Sequence, residues 1–196
     1  MYRYFPSYLD SKDSDRLLRR LIDQVSWRQE TVRMFGVEHR VPRLLGWYGE
    51  AGVDYVYAGN SHPASGWQPE LLALAVRLER EFDQAFNFVL LNRYRTGLDA
   101  MGWHRDDEAG LGDLVASISL GASRRFSLEH DGERESLILA HGSLLLMDGS
   151  IRHTLPRTRH AVGERVNLSY RLLDANGLGN GNATIANKGN NERWVS

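Results

Sequence analysis

Two hydrophobic periods divide the chain. From about Ser14 to Val25, the residues Leu17, Leu18, Leu21, Ile22 and Val25 recur at helical spacing behind an Asp/Ser-rich start, which predicts an amphipathic helix. A second helix opens at Pro69, a residue suited to a first helical position. It carries Leu71, Ala75, Leu78, Phe82 and Phe86 on one stripe. Between the helices, Phe35 to Gly66 is Gly/Tyr-rich and reads as strands and turns. After Phe86 the period shortens to that of a pleated chain. Residues 87–94, 114–121, 124–130, 135–140, 142–148 and 165–173 predict short strands, and "EHDGERE" and "MDGS" mark turns. Many short strands so spaced suggest a β-sandwich or jelly roll, with the two helices against one face. The tail, 176–191, reads "NGLGNGNATIANKGNN"; it has no core pattern and predicts disorder.

The bulk composition narrows this picture mainly by exclusion. At 196 residues the chain is long enough for one domain with a real core. A net charge of −1 gives no global pull toward nucleic acid or an anionic membrane. With no cysteine, disulfides, zinc–thiolate sites and thiol nucleophiles are excluded. No signal peptide precedes the first helix, and no apolar run approaches the ~18 residues of a membrane span. These features predict a soluble monomer without membrane association, cytoplasmic in a bacterium or nuclear in a eukaryote. Of the 24 basic residues only Lys12 and Lys188 are lysines. Arginine suits bidentate grips on carboxylate and phosphate, although a GC-rich genome produces the same bias.

Three places could carry chemistry. "GWHRDDE", 102–108, packs a histidine and three carboxylates together. On extended chain His104 and Asp106 point the same way, which makes half of a two-histidine, one-carboxylate site for Fe(II). A third ligand is needed. His141 and His153 bracket the predicted strand "GSLLLMD"; His153 is preferred, and periodicity leaves both open. In "RVNLSYR", Arg165, Asn167, Ser169 and Arg171 share one face, either a solvated side or a set of donors for an anion. Arg165 and Arg171 lie roughly 20 Å apart along an ideal strand, so one arginine anchoring a distal carboxylate is the easier reading. Asn92 and Tyr94 in "LLNRYRTG" repeat the i, i+2 spacing, and a buried tyrosine hydroxyl needs a partner.

Taken together, "NRYRTGLDAMGWHRDDE", "SISLGASRRFSL", "AHGSLLLMDGSIRHTLPR" and "RVNLSYRLL" resemble the AlkB family of iron- and 2-oxoglutarate-dependent dioxygenases, in its DNA-repair members. The resemblance covers about Phe35 to Leu173. It implies a mostly β domain with flanking helices, a double-stranded β-helix (jelly roll) over about 86–173. An N-terminal nucleotide-recognition lid would occupy about 33–66, within a single domain of residues 1–175, with a disordered tail at 176–196. It implies Fe(II) held by His104, Asp106 and His153, which settles the choice against His141. It implies 2-oxoglutarate bound by Arg165 and Tyr94, with Asn92, Asn167, Ser169 and Arg171 around it, and O2 as the second co-substrate. Phe35 stands where a probing aromatic belongs, Tyr55 and Tyr57 where the target base is bounded, and Asp107 where a carboxylate meets it. The family expects phenylalanine at the position of Tyr57.

The implied activity is oxidative demethylation of N-alkylated bases such as 1-methyladenine or 3-methylcytosine, in DNA or RNA. A target base in a duplex would have to leave the stack. Arg33, Arg40, Arg43, Arg152, Arg157 and Arg159 are candidates to grip phosphates. Two other readings compete: an oxygenase of the same fold acting on a protein or small molecule, and a non-catalytic jelly-roll binding module.

Overall fold

The computed structural model describes residues 1–34, 36–57, 60–108 and 110–174, except for the side chains of Arg33, Met34 and Tyr57. Phe35 and the tail predicted to be disordered lie outside the described residues. Fourteen strands and two helices follow one another along the described chain. Six strands form the major sheet in the order β1 (Tyr2–Phe5), β12 (Ser143–Asp148), β9 (Leu114–Gly121), β14 (Arg165–Arg171), β7 (Phe88–Tyr94) and β4 (Leu44–Gly49). Four form the minor sheet in the order β11 (Glu133–Leu139), β10 (Arg124–His130), β13 (Arg152–Leu155) and β8 (Met101–His104). Two hairpins stand apart from both sheets. They are β2 (Thr31–Met34) with β3 (Val37–Arg40), and β5 (Asp54–Tyr57) with β6 (Asn60–Pro63). The two main sheets form the jelly roll that the sequence predicts.

Helix α1 spans Ser11–Gln24 and begins three residues before the predicted start at Ser14. Asp10 caps it by accepting a 2.8 Å bond from the Asp13 amide, so the polar start belongs to the helix. Helix α2 spans Pro69–Phe82 and ends at Asp83, whose φ is 54°. Phe86 is therefore not on the helix as its spacing predicts. It is buried all the same, edge-on to Tyr170 with ring centroids 6.3 Å apart. Burial, not helical phase, explains its place in the stripe.

Both helices pack on one face of the major sheet. Leu17, Leu21, Leu71 and Leu78 meet Val89, Ile118, Val166 and Leu168 in one core cluster. A second cluster, with Tyr94, Phe126, Leu128, Met147 and Leu155, fills the space between the two sheets. Alternation then decides where the polar residues of β14 go. Val166, Leu168 and Tyr170 enter the helix-side core, so Arg165, Asn167, Ser169 and Arg171 must face the minor sheet. All seven residues of β14 are buried, so the solvated-face reading of this strand fails.

Candidate metal centre and anion pocket

The two histidines are placed by strand pairing. His104 ends β8 and His153 lies in β13, and the two residues pair directly across the ladder. Their rings are 4.1 Å apart, centre to centre. The Nδ1 atoms of His104 and His153 lie 2.9 and 2.8 Å from the carbonyl oxygens of Gly102 and Ile151. A carbonyl only accepts, so each Nδ1 donates and each Nε2 keeps its lone pair. These Nε2 atoms lie 3.6 and 3.8 Å from the two carboxylate oxygens of Asp106. Among the described residues, one ligand atom from each of these three side chains falls within 4.8 Å of the others.

Asp106 is positioned by its own backbone. Its amide donates to the Gly149 carbonyl at 2.9 Å, which ties the end of β8 to the turn between β12 and β13. A Cβ on Gly149 would lie 2.4 Å from the Asp106 carbonyl oxygen. The absence of a side chain there permits this close approach.

Charge favours metal binding. Burial, reinforced by the charge of His153, lowers the His104 pKa to about 4, so the ring is a neutral donor at physiological pH. Burial alone would raise the pKa of Asp106, but Arg171 and the two histidines hold it below its ordinary value. Arg171 Nη2 lies 2.8 Å from Asp106 Oδ1. Two imidazole nitrogens and a carboxylate make a donor set suited to Fe(II), which His104, Asp106 and His153 would hold.

A single cavity joins this centre to the polar face of β14. It is lined by the three donors together with Asn92, Tyr94, Tyr55 and all four polar residues of β14. Much of that face is already satisfied. Asn167 donates to Ser117 Oγ at 2.7 Å, and Ser169 donates to Asn167 Oδ1 at 3.0 Å. Arg165 differs. It is 2% exposed, donates to Ser119 Oγ at 2.9 Å and lies over the Tyr94 ring, 5.3 Å from its centre. Its Nε has no partner, and no described carboxylate pairs with it. Burial lowers its pKa to about 10. A buried cation without a counter-charge is costly, so the pocket is built for an anion. Arg171 sits at the other end of β14, against Asp106, Glu108 and the Tyr55 hydroxyl.

The remaining candidates divide. Tyr55 is 2% exposed, and its hydroxyl donates to Glu108 Oε1 at 3.3 Å. Asp107 is exposed; the neighbouring Glu108 is the carboxylate turned inward, and burial raises its pKa. Phe35 and the side chain of Tyr57 lie outside what is described. Of the arginines considered for phosphate, Arg40, Arg157 and Arg159 are exposed. Arg152 pairs with Glu129 at 2.8 Å. Arg43 is 3% exposed, lines the cavity and donates to Asn92 Oδ1 at 2.7 Å, so it is a pocket residue and not a surface grip. Sequence reading also missed Ser117 and Ser119. Their signal was present: two hydroxyls at i, i+2 inside the apolar strand "LVASISLG".

Comparison with known proteins identifies the family. Residues 1–171 match the 2OG-Fe(II) oxygenase superfamily. The chain is 36% identical over 187 residues to alpha-ketoglutarate-dependent dioxygenase alkB homolog 3 of Homo sapiens, covering 86% of this chain. That match spans 65% of the human protein's length. It is 37% identical over 180 residues to DNA oxidative demethylase ALKBH2 of Mus musculus, covering 82% of this chain and 75% of that one. Among solved structures, a 2OG-Fe(II) oxygenase family oxidoreductase from Burkholderia pseudomallei shares the fold, with a TM-score of 0.61 at 18% identity over 88% of this chain and 84% of that one.

Proposed function

The chain belongs to the 2OG-Fe(II) oxygenase superfamily, in its AlkB family, and from that premise we propose that it oxidatively demethylates N-alkylated bases in nucleic acid. The relatives named above include a DNA oxidative demethylase that this chain covers over 75% of its length, which supports this substrate class over a protein or small molecule. The reading extends over one domain, residues 1–175, acting as a monomer on alkylated DNA or RNA. No described helix is long and apolar enough to cross a membrane.

The observation that carries the reading is the junction of a His–Asp–His donor cluster with a buried, uncompensated arginine in one cavity. His104, Asp106 and His153 would hold Fe(II), and Arg165 with Tyr94 would hold the far carboxylate of 2-oxoglutarate. Fe(II) and the 2-oxo acid together supply the means to activate O2 and to hydroxylate an N-methyl group, which then leaves as formaldehyde. The protein's own tasks are placement and exclusion. The carbonyls of Gly102 and Ile151 hold each imidazole in the tautomer that turns Nε2 inward. Arg171 keeps Asp106 ionised. Tyr55 forms a wall beside the centre, with Tyr57, Asp107 and Phe35 as further contacts to the extruded base.

The test is a panel of oligonucleotides carrying 1-methyladenine or 3-methylcytosine, single- and double-stranded, scored by mass spectrometry. Loss of 14 Da per lesion, dependent on Fe(II) and 2-oxoglutarate, is expected from methyl removal. Turnover of 2-oxoglutarate that no methylated oligonucleotide stimulates would overturn the substrate class.

A further inference from the structure

The hairpins of the lid lack a sheet of their own. Each is two-stranded, and an isolated hairpin is marginal in water. Residues Val37–Arg40 of β3 are exposed throughout. Asn60 Nδ2 reaches from β6 to Glu30 Oε2 and to the Thr31 carbonyl, each at a long 3.5 Å; the shortest link between the hairpins runs through a buried imidazole. His62, on β6, is 0% exposed and is the cross-strand partner of Tyr55 on β5. Its Nδ1 lies 2.9 Å from the Tyr55 carbonyl oxygen, so Nδ1 donates. Its Nε2 lies 2.6 Å from Oε1 of Glu30, the residue that leads into β2. Both ring nitrogens face acceptors, so the imidazole and the Glu30 carboxyl must share a proton between them. Trp47 packs edge-on to the ring with centroids 4.6 Å apart.

The contacts continue inward from Tyr55. Its hydroxyl accepts from Arg171 Nη1 at 3.3 Å, and Arg171 grips Asp106. Glu30 and His62 line no part of the cavity and are not among the three clustered donors, so nothing in the proposed chemistry accounts for a buried ion-pairing histidine here.

We propose that Glu30 and His62 are positioning residues that clasp the two lid hairpins together and set Tyr55 against Arg171, so that the lid meets nucleic acid as one body. The substrate in this statement rests on the demethylase reading; the clasp itself does not. Glu30 anchors one hairpin at its base, where its carbonyl also accepts from the Val41 amide at 2.9 Å. His62 anchors the other through a backbone carbonyl, which side-chain substitution at Tyr55 would leave in place.

Hydrogen–deuterium exchange on the full chain tests the clasp without requiring turnover. In His62→Leu and in Glu30→Ala, exchange should rise about tenfold or more in both hairpins together, over 31–40 and 54–63. Exchange in β14 should stay as in the wild type. Glu30→Gln can donate its amide to Nε2 of a neutral imidazole, so it should restore most of the protection. In kinetics, KM for a methylated oligonucleotide should rise about tenfold in the first two variants, with KM for 2-oxoglutarate within twofold of wild type. A rise in one hairpin alone, in neither, or throughout the molecule in both variants would overturn the clasp, as would Glu30→Gln behaving like Glu30→Ala. A wild-type protein that demethylates no oligonucleotide but shows the paired exchange response would sink the demethylase reading and support the clasp.

Discussion

Asp106 meets two demands at once: it faces both histidine Nε2 atoms and it neutralises Arg171. Asp106→Ala removes a metal donor and also strands a buried guanidinium. Anaerobic titration with Fe(II) should show at least a hundredfold weaker binding. Removing one partner of a buried pair typically costs about 3–5 kcal/mol, so urea melts of the metal-free variant should also shift to lower midpoints. His104 makes a separate prediction about acid. Its pKa is about 4 in the fold and about 6.5 in an unfolded chain. Between these values the unfolded state binds the proton and the folded state does not, so metal-free stability falls as pH drops through that window. His104→Asn should flatten this part of the stability profile, and an unchanged slope would contradict a buried neutral ring. At this scale the sequence was legible where residue types were unusual, as in "HRDD" and the paired arginines of "RVNLSYR". It assigned Arg43 to a surface phosphate grip, because nothing in "VPRLL" distinguishes a buried arginine from an exposed one.

The elements that carry the metal donors are short. β8 and β13 have four residues each, and the pairing between them shifts register between His153 and Leu155. Neither shows alternation long enough to predict a strand. The strands of the major sheet are longer and more apolar, and their periodicity located them: the bounds predicted for β9 and β10 are those observed, at 114–121 and 124–130. The turn after β10 was also legible. Asp131 and Gly132 both take positive φ, 51° and 80°, as the Asp-Gly pair in "EHDGERE" suggests. Because the metal-bearing elements are short, their placement depends on the turn at Gly149. Gly149→Ala puts a methyl group against the Asp106 carbonyl and should displace Asp106 while the core stays packed. Fe(II) affinity should fall at least tenfold, and far-UV circular dichroism should be unchanged.

Across the whole molecule, the layers explain why the cavity lies where it does. Helices cover one face of the major sheet, so the polar side of β14 can only look into the gap shared with the minor sheet. That gap holds Arg165, whose Nε has no partner and which pairs with no described carboxylate. Replacing it by methionine removes a buried charge at similar length, and such swaps are often neutral or stabilising by about 1–4 kcal/mol. Arg165→Met should therefore resist urea at least as well as the wild type. It should also lose affinity for 2-oxoglutarate by at least a hundredfold, followed by the anaerobic visible absorption of the ternary complex with Fe(II). A variant that is weaker toward urea and still binds 2-oxoglutarate would refute this.

The Arg165 guanidinium also bears on how long the protein lasts in a cell. A ligand at about a hundred times its dissociation constant adds roughly 2.7 kcal/mol to folded-state stability, enough to lower the fraction exposed to proteases about a hundredfold. Wild-type half-life should therefore follow the metabolic supply of the dianion, lengthening in carbon-replete cells and shortening on starvation. The Arg165→Met chain should decay at one rate in both.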